Sequence, residues 1–255
     1  SVADLFLAGV IPGLMLLALF STYAAIRQPR LAEGARPTRA DRLAALRGLL
    51  PFLVLIACVF GSIYGGVATP TESAVIGVFG AALLALFART LSLRVLREAL
   101  EATAVFAGAL GFILGASAAL QVAMAYTGIP REVVRLIQEA GLGRGELLLV
   151  LTLALVAMGC FVDGLSMIVL TGAVLLPVIQ SAGIDPLWFG IYMVVLVEIA
   201  LITPPIGFNL FVLQKVTGIG ILPIARASWP MAALMLAMLG LLTLAPGLAT
   251  FLPSL

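Results

Sequence analysis

Two acids and two adjacent prolines stand where a lipid-compatible sequence should carry none. Asp163 lies in FVDGLS and Glu198 in EIALITPPIGFNLF, both set within long apolar stretches. Pro204 and Pro205 have no backbone N–H, so a helix through them strips the Ala200 and Leu201 carbonyls of their usual partners. Thr203, preceding a proline, is pushed out of helical geometry. Unsatisfied backbone groups are costly in lipid, so such a break survives only against protein or a wet cavity. The carbonyl end of the first half-helix then suits a cation, and the positive N-terminus of the second suits a carboxylate. Thr203 is expected to cap the second half, with Pro204 as its first residue. Gly207 and the Asn209 amide follow within a turn. A proline kink that merely shapes the helix is the bland alternative; the company of Thr203, Gly207, Asn209 and Glu198 argues for a binding break.

The FVDGLS segment makes a second candidate. An Asp in mid-membrane costs about 2.5–3.5 kcal/mol on insertion scales, and intramembrane acids are functional by default. Gly159 and Gly164 permit close backbone approach and a tight reversal. Asp163, Ser166 and Thr171 carry the hard oxygens that alkali and alkaline-earth cations prefer. The competing reading puts Asp163 at a wet loop tip, capping the next helix. In GGVATPTESA, Thr69, Pro70, Thr71 and Glu72 spell a capping box with proline at the first helical position, so a structural role is expected there ahead of a ligand role. Glu198 could tune the cavity's charge, carry a proton, or pair with a polar group on a helix this chain lacks.

Long apolar segments must position these residues. Hydrophobic residues make up 63% of the chain and charged residues 10%, against about 25% charged in soluble domains. The apolar runs reach the roughly 17–25 residues that cross a bilayer. The expected class is an all-α polytopic membrane protein. A first span over 5–26 precedes a loop with six arginines, 27–48, and a second basic loop, 89–101, holds three more. Cytoplasmic loops attract Lys and Arg, which places Ser1, the TPTE break, PREVVR and Leu255 outside, and Lys215 and Arg226 inside. Eleven basic residues then lie inside and three outside, so every segment agrees with one orientation. In 128–146 the apolar residues Val133, Val134, Leu136 and Ile137 suggest a short helix lying in the interface. Residues 147–179 are too long for one span and short for two, while 187–221 reads as one crossing broken at its middle. The expected division is scaffold-type helices over 1–145, a transport half over 146–228 (hairpin 146–180, broken helix 187–221), and a last span over 229–255.

The absence of histidine removes His-based zinc chemistry and His-dependent nucleophilic triads. An aspartyl intramembrane protease needs two membrane-embedded aspartates; Asp4, Asp41 and Asp185 fall at span ends or in loops. A channel also uses broken helices, but the single-copy, lopsided breaks suit a carrier. Cys58 and Cys160 read as apolar filling. Ser1 is neither Met nor followed by a basic n-region, so the chain is expected to start within a longer polypeptide or to be processed.

Four stretches in order, GGVATPTESAVIGVFGAALL, GCFVDGLSMIVLTGAVLLPVI, GIDPLWFGIYMVV and EIALITPPIGFNLFV, together resemble the large membrane subunit of TRAP (tripartite ATP-independent periplasmic) transporters. The resemblance runs from Ser1 to Leu255 and covers its C-terminal half. It implies one repeat of an inverted-repeat ion-transporter fold, with a re-entrant hairpin and a broken helix, working by an elevator movement in the bacterial inner membrane. It implies sodium-driven import of a small organic acid delivered by a periplasmic binding protein, with no cofactor beyond sodium, no catalytic residue and no nucleic-acid partner. A small membrane subunit and the N-terminal half of the large subunit are the implied partners; without that half these residues should bind poorly and transport nothing. Residues 159–171 map onto the outer hairpin and 198–209 onto the broken helix. The sodium ligands are then expected from Gly159, Asp163, Gly164, Thr171, Ala200, Leu201 and Thr203, and the substrate ligands from Ser166, Thr203, Pro204, Pro205, Gly207 and Asn209. Coupling or structural roles fall to Glu198, Thr69, Thr71 and Glu72. Leu165-Ser166 departs from the small residues usual there.

Overall fold

The computed structural model describes residues 1–27, 38–205 and 207–254. Those residues are helical, with no strand among them, as lipid demands when every backbone group must be satisfied within its own segment. They form two compact units, one of residues 1–3 and 23–108, the other of 4–22 and 109–255. Among the described residues five helices are long and apolar enough to cross a membrane, so this is a multi-pass α-helical membrane protein.

In the first unit, α2 (Arg39–Tyr64) and α3 (Pro70–Phe87) pack together; α1 (Val2–Arg27) ends there and α4 (Leu93–Thr127) begins there. Part of the first basic loop, 28–37, lies outside the described residues. The rest is a helix rather than a loop, because Thr38 and Asp41 form a capping box that starts α2 among the arginines. The second basic loop is also largely helical: Arg94 bonds Glu98 at 3.0 Å and Arg97 bonds Glu101 at 2.7 Å along the first turns of α4. These pairs are exposed and contribute little stability; their spacing mainly permits the helix to extend.

The second unit is built around α8 (Pro186–Leu201). Ten of its sixteen residues are buried, which is what a helix apolar all round requires. Asp185 starts it by accepting from the Leu187 and Trp188 amides at 2.7 and 3.1 Å. The helices α6 (Arg144–Gly159), α7 (Gly164–Ser181) and α10 (Ile221–Leu244) surround it. Polar atoms inside this bundle are paired across helices. Trp188 Nε1 donates to the Leu242 carbonyl at 3.0 Å, and the Arg144 guanidinium lies 5.3 Å from the Trp188 ring centre. Thr152 Oγ1 donates to its own helix at Leu148, so the 2.6 Å contact with Tyr192 must use the tyrosine proton.

The helix expected at the interface, α5 (Ile129–Glu139), turns Val133, Val134 and Ile137 onto the protein core beside α7. Leu136, also expected on the apolar face, stays exposed. The last span runs over Ile221–Leu244 rather than 229–255. Gly218, left-handed at φ 71°, ends α9 (Phe208–Thr217) early enough for α10 to start at Ile221. Pro246 then breaks the chain, and α11 (Gly247–Thr250) folds back so that Ala249 is buried beside α8.

Residues 144–181 form two helices joined by a turn at 160–163. At 16 residues α6 is about 24 Å long, short of a hydrocarbon core of about 30 Å. The companion α7 bends by 62° between Gly172 and Val174. Pro177 explains the bend, since it removes an N–H and crowds the carbonyl four residues earlier. Ser117 of α4, itself buried, donates to the Val169 carbonyl at 2.8 Å just before the bend.

Candidate functional site

The hairpin turn and the proline break meet. At the tip, Asp163 caps α7 by accepting from the Ser166 amide at 3.0 Å. Its side chain is exposed in this chain, and Ser166 is buried behind it. Capping and exposure are what the loop-tip reading expects, and they leave a carboxylate oxygen facing outward. Gly164 packs so closely on α8 that a Cβ there would lie 2.4 Å from Val197 Cγ1 and 3.3 Å from Leu201 Cδ1. At Gly159 a Cβ would lie 2.5 Å from the Ala200 Cβ. Close approach therefore requires both glycines.

The break itself differs from the sequence expectation in two respects. The Ala200 carbonyl is not stripped of a partner: α8 tightens at its end, and the Thr203 N–H donates to it at 3.1 Å. Among the described residues, none donates to the Leu201 carbonyl. Nor does Thr203 cap the second half, because its hydroxyl donates backward to the Ile199 carbonyl at 2.6 Å. The second half, α9, starts at Phe208 instead of Pro204. Its N-cap is Gly207, in the left-handed region at φ 54°, and no side chain caps it. A Cβ at Gly207 would lie 2.9 Å from the Thr203 carbonyl oxygen, so this corner admits only glycine. Ile206 lies outside the described residues. Asn209 is half-buried in the first turn of α9.

These elements present different partners to a ligand. The end of α8 offers the Leu201 carbonyl, and Thr203 donates its proton to Ile199. The Thr203 hydroxyl is thereby left with lone pairs to give, as a cation needs. Thr171, which donates to Met167, lies two turns along α7 from Gly164, about 10 Å from the tip, and is not brought to the break. The uncapped start of α9 offers amides and the positive end of a helix dipole, as an anion needs. No cluster of three His, Cys, Asp or Glu side chains occurs among the described residues, so a cation here would be held by carbonyl and hydroxyl oxygens with Asp163 as the nearby carboxylate. Such a donor set fits a hard, weakly bound ion.

Glu198 is exposed on the otherwise buried α8, one turn beyond the exposed Val194. Thr69, Thr71 and Glu72 belong to the other unit. There the Glu72 carboxylate accepts from the Thr69 amide at 2.8 Å while the Thr69 hydroxyl accepts from the Glu72 amide at 3.3 Å, the reciprocal pair of a capping box. A groove of about 560 Å³ between α2 and α3 is lined almost wholly by aliphatic and aromatic side chains, with Glu72 among them. Cys160 was hidden from sequence reasoning: its buried thiol donates to the Pro204 carbonyl at 3.3 Å. A single cysteine in an apolar run carries no signal of such a bond.

Residues 1–248 match the family described as tripartite ATP-independent periplasmic transporter, DctM component. The chain belongs to this family. It is 35% identical to the C4-dicarboxylate TRAP transporter large permease protein DctM of Rhodobacter capsulatus, over all of this chain and 59% of that protein. The Pseudomonas aeruginosa protein of the same description is 34% identical over all of this chain and 60% of its own length. An ectoine/5-hydroxyectoine TRAP transporter large permease protein, UehC of Ruegeria pomeroyi, is 32% identical over 99% of this chain and 60% of that protein. The chain thus spans about three-fifths of the length of these relatives. The family is that of a transporter component and not of an enzyme.

Proposed function

We infer that the chain is the C-terminal half of the permease subunit of a sodium-driven secondary transporter, which imports small organic acids delivered by a periplasmic binding protein. One observation carries this reading: the hairpin tip packs against a break whose first half ends in a carbonyl without a described donor and whose second half starts uncapped. Sodium is held by the Leu201 carbonyl, the Thr203 oxygen and Asp163, and the acid's carboxylate docks at the start of α9 beside Asn209. The hairpin is re-entrant, its tip stopping at bilayer depth beside the break. Relatives described as C4-dicarboxylate and ectoine permeases support a carboxylate-bearing substrate class. The N-terminal half of the large subunit and a small membrane subunit complete the carrier, which works as an elevator. It sits in the bacterial inner membrane with the first and last residues of this chain on the periplasmic side, an orientation supported by the bias in Lys and Arg.

The test is a double replacement, Pro204→Ala with Pro205→Ala, in the complete transporter reconstituted into liposomes. Restored N–H groups let the helix close over the Leu201 carbonyl, and sodium-dependent uptake falls to background. Uptake at the wild-type rate would refute the break as a binding element.

A further inference from the structure

Cys160 ends α6 with its side chain 5% exposed, and its S–H reaches the carbonyl of Pro204, 44 residues further along the chain. A thiol is a weak donor, but here it is flanked by two close contacts between glycines of the hairpin and side chains of α8. On one side Gly159 meets Ala200, and on the other Gly164 meets Val197 and Leu201. The three contacts join the turn of the hairpin to the end of α8 and the first proline of the break. The ring of Pro204 fixes its φ, so anchoring its carbonyl restricts how residues 201–205 can swing relative to the hairpin. Nothing in the ligand set proposed above uses this sulfur.

We propose that Cys160 is a positioning residue: its thiol staples the hairpin tip to Pro204, so that Asp163 and the 201–205 backbone keep a single mutual geometry. Its role in transport rests on the sodium-carrier reading; the bond itself does not. Losing the staple leaves every cation ligand in place and loosens their arrangement. The effect therefore falls on sodium affinity more than on the maximal rate.

The experiment has two readouts. In liposomes holding the complete transporter, Cys160→Ala raises the sodium concentration for half-maximal uptake by about two- to five-fold, the scale of a weak hydrogen bond, with the maximal rate retained. Cys160→Ser keeps a donor and recovers most of the loss. Separately, with every other cysteine replaced by alanine, the infrared S–H stretch of Cys160 lies below that of a free thiol. A Cys160→Ala sodium curve that superimposes on wild type overturns the proposal, and so does an S–H stretch at the free-thiol position. Should Cys160→Ala fail to fold, the stretch decides, since it is read in protein that retains Cys160. A shifted stretch in a transporter whose uptake ignores sodium overturns the positioning role through the carrier reading while leaving the bond intact.

Discussion

The turn between α2 and α3 closes on itself. The Ser62 carbonyl takes the Val67 and Ala68 amides at 3.0 and 3.1 Å, Thr69 and Glu72 cap each other, and the Ser62 and Ser73 hydroxyls meet at 2.8 Å between the helices. The turn between α6 and α7 closes its backbone likewise, the Met158 carbonyl taking the Phe161 and Val162 amides at 3.0 and 3.2 Å, but its side chains differ. Asp163 caps α7 through the Ser166 amide and is exposed in this chain, and the Cys160 thiol serves a carbonyl on another element. The surroundings differ in the same sense. Most of the α2 and α3 surface is exposed, whereas α6 and α7 pack on α8 through two glycines. Two hairpins of similar plan thus differ in where their side chains bond: those of the first pair within the hairpin, while Cys160 of the second reaches another element.

Crowding the second hairpin should break this contrast most severely. Gly164→Leu drives a side chain into Val197, and overpacking of this kind costs about 1–3 kcal/mol. Uptake by the complete transporter should be lost, with partial recovery on adding Val197→Ala; full activity in the single variant would mean that the tip does not need its contact with α8. An intermediate effect is expected for Asp163→Asn. Asparagine caps as well as aspartate, so folding persists, but the sodium titration of uptake should shift to higher concentration through loss of the charge. A superimposable titration would leave Asp163 only its capping role. The smallest effect belongs to the first hairpin: Glu72→Gln still completes the capping box, and both uptake and membrane insertion should match wild type. Loss of transport with normal insertion would turn Glu72 into a ligand and erase the distinction between the turns.

Much of this was legible in residue types. The capping box at Thr69–Glu72 is local, made of groups three residues apart, so spacing alone reveals it. The interruption at Pro204-Pro205 is equally local, since a missing N–H needs no context. The fate of the freed groups was not legible. Ala200 regains a partner because α8 tightens by one residue, and Thr203 turns its hydroxyl backward to Ile199; both choices depend on the conformation of the whole corner. The amphipathic pattern of α5 is the same for a helix on a membrane surface and a helix on protein, so its contact with α7 was not legible. Cys160 gains its partner from 44 residues away, beyond any periodicity.

Sequence by itself determined that this polypeptide lives in lipid, where it is interrupted, and which way its basic loops bias it. Those properties follow from transfer energies and missing donors that each residue carries wherever it is placed. Tertiary structure alone decided that the interruption and the hairpin tip share a seam, that two glycines are compressed there, and which carbonyl ends without a described donor. Such facts come from packing between segments distant in sequence, whose energies exist only once the segments touch.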